Sequence, residues 1–497
     1  MKRTKTTNFM RKLSITLLVL VLFGCSVEKK VSKASNKKNI TIGTTFPPEM
    51  YNAYNILKRP PSEYSYRLSS YNPQDSVRAL KPKYSLDSVL YISITSKIGR
   101  RYPDDSPKGG IYFYLEDLND CKNLGFLEVE KNGEISPELD FSNFPELRYV
   151  ELHSSKIITE KQQYDLLNTA KKLRGLSYGS RYPLPECICE LKNLEYLELI
   201  NYSRSDLPSC ISDLPNLKYL QFGGVNPKSV PTIFSNENLE FLSVNGGDSL
   251  NIPESIHRLK KLRHLEISYF NTLQLPSMFE ELDALELLEI GWINDTISIH
   301  KEITGLRNLK GVRFVNMNLK KIPEFRGCAN LEYLYFYGID YLKNTDLNFE
   351  PVKSTLACIE LHGKAFSEIH AVPYGLDQAS NLRFMHFYGL PIKTIPRTFQ
   401  NLKQLESILL YGSELDFESV LFIYDTLHKQ GLKYFNPPLI GVSTEEQRDT
   451  LQRLDFEGGR GMLMSHSKPS ISYFSNAFEY YKKRIKFGLE TEWDPYH

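Results

Sequence analysis

One leucine motif recurs thirteen times along the chain at a nearly constant spacing, and it limits the fold more strongly than any other feature. Successive copies of L-x-x-L-x-L, with conservative substitutions, begin 21 to 26 residues apart. Even spacing on this scale is the sequence signature of stacked structural repeats. The first motif position falls at Leu124, Leu147, Leu173, Leu194, Leu217, Leu239, Leu262, Leu285, Leu309, Leu331, Leu356, Leu382 and Leu405.

Two further marks keep the same period. In six copies proline follows an apolar residue fourteen positions after the motif start, at Pro208, Pro231, Pro253, Pro276, Pro323 and Pro396. A leucine often lies three positions before the start, as at Leu191, Leu214, Leu259, Leu282, Leu306 and Leu402. Side chains alternate between the faces of a strand, so the motif leucines point inward and the x positions point outward. Because one coil cannot bury its own inner face, the pattern predicts coils stacked on a shared column of leucines.

This unit is similar to that of the leucine-rich-repeat family, particularly its 23-residue type with a Leu-Pro step, over roughly residues 120–415. The resemblance implies an α/β solenoid, a horseshoe with a parallel β-sheet on its concave face and a cap at each end. One departure concerns the asparagine that, in the family, binds backbone groups between coils. Asn132 occupies that position in the first copy, but later copies mostly replace it, and glycine often precedes it. We therefore expect tight glycine turns after the strands.

The start of the chain carries a charged segment, an eleven-residue apolar run from Leu13 to Phe23, and then Gly24-Cys25. The apolar run is shorter than the roughly 20 residues that cross a bilayer, and the order of segments is that of a signal peptide, residues 1–24. Leu22-Phe23-Gly24-Cys25 resembles the lipobox of bacterial lipoproteins, which implies lipidation at Cys25. Ser26, the residue after Cys25, resembles an outer-membrane sorting signal. Both the periplasmic side and the surface side of that membrane remain alternatives for the protein's location. An ordinary signal peptide and an uncleaved anchor are the alternatives.

The segments outside the repeat are interpreted more coarsely. Residues 25–39 predict a flexible tether, residues 40–119 an N-terminal segment and cap with a strand in Ser88–Thr95, and residues 416–497 a C-terminal cap and tail. Helical spacing appears in Phe417–Lys429 and again near Glu445–Leu454. Removal of residues 1–24 takes away five positive charges and changes the formal charge from +2 to −3. Because the chain is then nearly neutral, we do not expect it to bind nucleic acid.

The outward strand positions predict a ligand-binding concave face. Aromatic side chains beside acidic ones suit a protein, peptide or glycan partner, and exposed tyrosine gives contact area at low entropic cost. Strand propensity alone also favours aromatic residues there, and this interpretation stays open. The candidate binding residues are Tyr196, Glu198, Tyr219, Tyr333, Tyr335, Tyr337, Glu360, His362, Phe384, His386, Tyr388 and Tyr411.

Catalytic and metal chemistry receive little support from the sequence. Glu360, His362 and His386 fall on adjacent coils, but a metal site needs three or four converging ligands, and an ordinary polar surface is favoured. The sequence contains no nucleophile elbow, phosphate-binding loop or His-Glu-x-x-His motif. We therefore expect no catalytic residues, no metal and no cofactor.

The cysteines after Cys25 have different predicted fates. Cys121 and Cys328 replace the leucine before a motif and are predicted to be buried thiols. Cys187 and Cys210 occupy equivalent places in neighbouring coils and are candidates for a disulfide, with Cys189 as a competitor. Cys358 is predicted to be an accessible thiol on the concave face.

Three functional hypotheses follow from these patterns. The favoured one is a membrane-tethered binding module of the bacterial cell envelope. The second is an enzyme with its chemistry in a terminal segment, although neither segment reaches the 100–150 residues of a typical domain. The third is a structural or adhesion protein without a specific small ligand.

Overall fold

A computed structural model describes residues 121–436 with gaps at 130–139, 153–158, 180–181, 201–206, 225–228, 300–302, 340–346 and 363–367. It also describes residues 444–457 and three N-terminal strands. The predictions made for Cys25, the tether and Asn132 lie outside the described residues.

Seventeen strands among the described residues form one sheet. Strand β1 lies between β2 and β3 and is antiparallel to both. From β3 onward every strand pairs in parallel with the next strand of the chain. The strands are β1 Asn39–Gly43, β2 Ser65–Ser69, β3 Tyr91–Thr95, β4 Phe126–Val129, β5 Tyr149–Leu152, β6 Gly175–Gly179, β7 Tyr196–Ile200, β8 Tyr219–Gly223, β9 Phe241–Asn251, β10 His264–Gln274, β11 Leu287–Ile297, β12 Gly311–Leu319, β13 Tyr333–Tyr337, β14 Cys358–His362, β15 Phe384–Tyr388, β16 Ser407–Tyr411 and β17 Tyr434–Asn436.

The predicted column of leucines is confirmed. All thirteen motif leucines are at most 5% exposed and belong to one hydrophobic core. The leucines three positions before each motif lie in the same core, as do Cys121 and Cys328. Burial raises the pKa of the Cys328 thiol to about 12. Strands β4 to β16 therefore each begin two positions after a buried motif leucine, and these leucines share one core.

Proline steps start the short helices on the other side of the coils. Five 3-10 helices have proline as the residue before their first turn: Glu186–Glu190, Ser209–Asp213, Glu254–Arg258, Ser277–Glu281 and Arg397–Asn401. Two shorter ones span Glu350–Val352 and Leu376–Gln378, and a third, Phe141–Asn143, begins after an aspartate cap. Proline is tolerated at such a position because its missing N–H would have no partner within the helix.

Two coils carry an α-helix among their described residues instead of a 3-10 helix. The 26-residue coil after Leu147 carries α1, Glu160–Thr169, whose N-terminus is closed by a capping box between Thr159 and Gln162. Helix α2, Val230–Ile233, is a single turn. Among the described residues no helix is long and apolar enough to span a membrane.

The predicted glycine turns are present, with an informative exception. Glycine has a positive φ seven positions after the motif start at Gly224, Gly246, Gly338, Gly389 and Gly412. In three central coils the same position holds Tyr269, Trp292 and Asn316, with φ of 64°, 52° and 47°. A left-handed conformation costs a residue with a side chain about 1–2 kcal/mol.

An asparagine ladder exists, but not at the position expected from the family. The residue just before the motif leucine donates its side-chain amide to a backbone carbonyl one coil earlier, as Asn193 does to Lys171 at 3.1 Å and Asn216 to Lys192 at 2.7 Å. Asn308, Asn330 and Asn381 repeat this bond. These amides bond backbone carbonyl groups between adjacent coils.

The C-terminal end adds one strand that the sequence pattern did not show. The predicted helix is confirmed as α3, Phe417–Phe422, which continues as a π-helix, Ile423–Leu427, and a 3-10 turn, His428–Gln430. Strand β17 then pairs with β16, although the leucine pattern was predicted to stop after Tyr411. The second predicted helix is confirmed as α4, Glu445–Glu457.

The disulfide joins Cys189 to Cys210, so the competing pairing is the observed one and the Cys187–Cys210 pairing is wrong. The Cα atoms of Cys189 and Cys210 lie 5.6 Å apart, within the range that a disulfide spans. Cys187 is a half-buried free thiol.

Candidate functional site on the concave face

The outward strand positions form three rows across the concave face. The inner row lies two positions after each motif leucine, the middle row four and the outer row six. In β13 these are Tyr333, Tyr335 and Tyr337, and the parallel register aligns them with Cys358, Glu360 and His362 of β14. The next two strands continue the rows in step.

The inner row is mostly covered by its own members. The rings of Tyr196 and Tyr219 stack at 4.2 Å between centroids, and those of Tyr219 and Phe241 at 4.0 Å. Strands in a sheet lie about 4.8 Å apart, close to the distance of stacked rings, so each ring covers the face of the next. The prediction that Tyr196 and Tyr219 face solvent is therefore wrong, since both are buried.

Glu198 is held by neighbouring side chains and is not a free carboxylate. It accepts hydrogen bonds from the hydroxyl of Tyr196 at 2.8 Å and from that of Ser177 at 2.7 Å. The middle coils thus present a pre-arranged polar row over a stacked aromatic one.

The C-terminal half of the inner row forms a second hydrophobic cluster, separate from the leucine core. It contains Leu287, Tyr333, Cys358, Phe384 and Leu409, with Tyr335 and Tyr411 packed against it. Gly311 lies between Leu287 and Tyr333, and a Cβ there would meet Leu287 Cδ1 at 2.7 Å. Because Gly311 has no side chain, the side chains of Leu287 and Tyr333 cover strand β12 at this point.

Several candidate residues are consequently less accessible than expected. Tyr333, Phe384, Glu360 and His386 are all buried. Cys358 is 2% exposed, so its prediction as an accessible thiol is wrong, and burial raises its pKa well above the usual value. Each lies beneath the larger side chains of the middle and outer rows.

A buried ion-pair cluster occupies the centre of the face. Glu289 lies 2.7 Å from His264 Nε2 through one carboxylate oxygen and 3.2 Å from the Arg313 guanidinium through the other. Burial opposes the charge of Arg313, but the nearby Glu289 carboxylate raises its pKa above the usual value. Arg313 also lies 5.3 Å from the ring centroid of Tyr335, and so joins this cluster to the C-terminal coils.

Two groups of described residues have the spacing of metal ligands. One is His264, Glu266 and Glu289, whose ligand atoms lie within 4.8 Å of one another, and the other combines Glu186 with the disulfide pair Cys189 and Cys210. In the first group Arg313 already supplies a positive charge to Glu289. The predicted alternative of Glu360, His362 and His386 does not have this spacing.

Glu360 lies under the aromatic side chains of the C-terminal coils. One carboxylate oxygen contacts His362 Nε2. The other oxygen, Oε2, is buried and accepts no hydrogen bond. Burial first and the charge of Glu360 second raise the pKa values of Tyr335 and Tyr388, so both tyrosines stay neutral hydroxyl donors around this carboxylate.

The outer row carries the most accessible aromatic surface, here called the aromatic ladder: Tyr337, His362, Tyr388 and Tyr411. Ring centroids are 5.3 Å apart between Tyr337 and His362, 3.8 Å between His362 and Tyr388, and 4.5 Å between Tyr388 and Tyr411. Tyr337 is 41% exposed and the other three are half-buried. The ladder therefore offers ring edges and hydroxyl groups to a ligand, with Glu360 directly behind it.

His386 predicts a pH-dependent stability. Burial first, and His362 second, lower its pKa well below 6.5, and its Nε2 lies 2.9 Å from Ser407 Oγ. Below about pH 6.5 the unfolded chain binds a proton that the folded chain does not, so stability falls as the pH drops. Between pH 7.5 and 5.0 we expect a loss of up to about 2 kcal/mol from this group.

Denaturant unfolding at both pH values checks this loss. His386→Gln keeps a hydrogen-bonding side chain without titration, and should reduce the difference between the two pH values by about that amount. An equal difference in both proteins would contradict the assignment.

No model of a protein family and no curated protein matches this chain. A leucine-rich-repeat protein of Leptospira interrogans is similar in structure, with a TM-score of 0.50 and 21% identity, covering 65% of this chain and 87% of that one. This chain has the leucine-rich-repeat fold.

Other solved structures with leucine-rich repeats resemble the chain more distantly. An internalin of Listeria monocytogenes has a TM-score of 0.42 and 14% identity, over 74% of this chain and 92% of that chain. The leucine-rich-repeat ectodomain of an Arabidopsis thaliana receptor kinase has a TM-score of 0.35 and 18% identity, over 61% and 43%.

Sequence reasoning placed the C-terminal tyrosines and histidines on adjacent strands, and it missed the central ion-pair cluster. The available signal was the opposite charge of Glu289 and Arg313 at equivalent positions of neighbouring coils. His264 lies on the preceding strand, β10, and in the inner row, so its contact with Glu289 is diagonal and was not visible in the row pattern.

Proposed function

We propose that this chain is a lipid-anchored binding protein of the bacterial cell envelope, which recognises a polypeptide segment with cationic side chains through the concave face of its C-terminal coils. The observation that carries the proposal is the aromatic ladder backed by Glu360, a buried carboxylate with one oxygen that accepts no hydrogen bond.

The chemistry of this surface fits a cation better than a neutral ligand. A buried carboxylate oxygen without a donor is costly, and a ligand ammonium or guanidinium group supplies both the donor and the charge. The hydroxyl oxygens of the ladder tyrosines can accept further hydrogen bonds from such a group. Tyr335 and Tyr388 flank the carboxylate, so a lysine or arginine side chain that reached it would pass between aromatic rings.

The balance of charge along the middle row points the same way. Glu198, Glu266, Glu289 and Glu360 belong to it, against one cation, Arg313. A concave surface with this excess of carboxylates attracts cationic ligands and repels polyanions, and we expect no nucleic-acid partner.

Selection from a random peptide display tests this proposal. Full-length protein should enrich peptides that carry lysine or arginine. The double variant Tyr337→Ser and Tyr388→Ser should bind these peptides with an affinity lower by about 30-fold or more, because two contact tyrosines are lost. Tyr164→Ser combined with Tyr374→Ser, at exposed tyrosines away from the concave rows, is the matched control and should change nothing.

Two results would count against the proposal. One is that no cationic peptide is enriched, and a glycan-only ligand or a purely structural role would give this result. The other is that enriched peptides bind the double variant as tightly as the parent.

The lipid anchor has its own test. Cys25→Ser should abolish incorporation of an alkyne-labelled fatty acid and move the protein from the membrane to the soluble fraction, because two or more acyl chains hold a protein stably on a membrane. Cys187→Ser, which removes a thiol within the repeats, should keep both the label and the membrane association. Label retained in Cys25→Ser would contradict acylation at this residue.

A further inference from the structure

A second aromatic feature lies in the middle of two long central strands, apart from the aromatic ladder. Tyr269 and Trp292 occupy equivalent positions of β10 and β11, and their rings stack at 4.7 Å between centroids with 13° between planes. Tyr269 is 49% exposed. Nothing in the leucine core or in the concave rows requires this pair.

The backbone of both residues is left-handed. Five other coils place glycine at this position, where the conformation is free of strain, whereas φ is 64° at Tyr269 and 52° at Trp292. Bulky residues rarely adopt such a backbone, and a strained conformation that keeps a particular side chain in place points to a role for that side chain.

The stack has an open end. On the side of Tyr269 opposite Trp292, the equivalent residue of the preceding coil is Gly246, followed by Gly247. A Cβ built on Gly246 would meet only backbone atoms of Gly224 within 4 Å, so among the described residues no side chain other than those of its chain neighbours comes close to the position that a side chain would take there. The coil spacing of about 4.8 Å leaves the space of one ring over the outer face of Tyr269.

Polar side chains follow the same turn on neighbouring strands. Asn271 and Asn294 are exposed and joined to each other at 2.6 Å, and the exposed Asp248 occupies the position of the preceding coil that is equivalent to Asn271. Asn271 accepts this bond through its amide oxygen, so its N–H groups can donate to a ligand, and a carboxylate such as that of Asp248 accepts hydrogen bonds from hydroxyl groups.

We propose that Tyr269 and Trp292 form a binding site for one ring of a neutral glycan, with the sugar stacked on Tyr269 as the next layer of the pair. One face of a pyranose presents C–H groups, which have partial positive charge, to the negative face of the aromatic ring. Its hydroxyl groups reach the amide of Asn271 and the carboxylate of Asp248, and this carboxylate favours a neutral sugar over an acidic one. The site takes neutral hexose or N-acetylhexosamine units and is distinct from the cation site proposed on the C-terminal coils.

Tryptophan fluorescence tests the proposal directly. The chain has two tryptophans, Trp292 and Trp493, so Trp493→Phe in the full-length protein leaves Trp292 as the only reporter. Titration with neutral oligosaccharides of hexose and of N-acetylhexosamine units should produce a saturable change in its emission. Tyr269→Gly should weaken that binding by about tenfold or more.

Three comparisons make the outcome decisive. Tyr269→Gly installs the residue that other coils use here, so its thermal midpoint should stay within about 4 °C of the parent. Tyr374→Ala, at an exposed tyrosine elsewhere, should leave sugar binding unchanged, and so should the Tyr337→Ser and Tyr388→Ser pair, because the two sites are separate.

The proposal is overturned if no oligosaccharide changes the emission of Trp292, or if Tyr269→Gly binds as well as the parent. It is also overturned if Tyr269→Gly mainly lowers the thermal midpoint, because the aromatic pair would then only brace the coils.

Discussion

Replacing Glu289 with alanine should lower the free energy of unfolding by about 3–5 kcal/mol, the usual result of removing one partner from a buried ion pair. Glu289 is 3% exposed and joins His264 of one coil to Arg313 of another. Without the carboxylate, a buried guanidinium loses the charge that raises its pKa, and three adjacent strands lose their link on the concave side.

Urea unfolding followed by circular dichroism measures this loss. Glu289→Gln keeps the shape and one acceptor oxygen but removes the charge, and we expect about half the effect. Glu190→Ala, at an exposed carboxylate of a 3-10 helix on the opposite side of the coils, is the control for removing an acidic group, and should stay within about 0.5 kcal/mol. A loss below about 1 kcal/mol for Glu289→Ala would show that the cluster does not stabilise the fold.

Leu262→Ala should lower the free energy of unfolding by about 3–5 kcal/mol through a different mechanism. The side chain is fully buried in the column between Leu239 and Leu285, and its removal leaves a cavity at the interface of three coils. Because coil stability depends on contacts between neighbours, the lost packing weakens both interfaces together.

Met278→Ala is the matched control, because Met278 is an apolar residue exposed on the 3-10 helix of the same coil. It should change stability by no more than about 0.5 kcal/mol. Similar values for Leu262→Ala and Met278→Ala would contradict the shared leucine column.

The solenoid was predictable because its cause is periodic. Each coil needs the same inward leucines, so thirteen copies report one structural requirement, and even a replaced asparagine did not obscure it. Strand β17 was not predicted because the helical segment before it interrupts the regular spacing of the leucine motif. The left-handed backbone of Tyr269 and Trp292 was missed because the sequence shows aromatic residues where the turn is otherwise made by glycine.

The rows of the concave face were also predictable, but their accessibility was not. Strand alternation places Tyr333 and Cys358 on the outward face. Whether these side chains are buried depends on the size of neighbouring side chains on other coils and on the absence of a side chain at Gly311. The same holds for Cys189, whose pairing with Cys210 depends on how two short helices align. Such properties belong to contacts between coils, and a pattern within one coil does not contain them.

Hydroxyl-radical footprinting of the full-length protein, with and without a cationic peptide selected by display, tests the concave recognition surface most directly. Oxidation of Tyr337, Tyr388 and Tyr411 should fall several-fold when the peptide is bound, while Tyr164 and Tyr374 should react as before. Protection of Tyr164 or Tyr374 with an unchanged aromatic ladder would place the ligand on another face and contradict the proposed function.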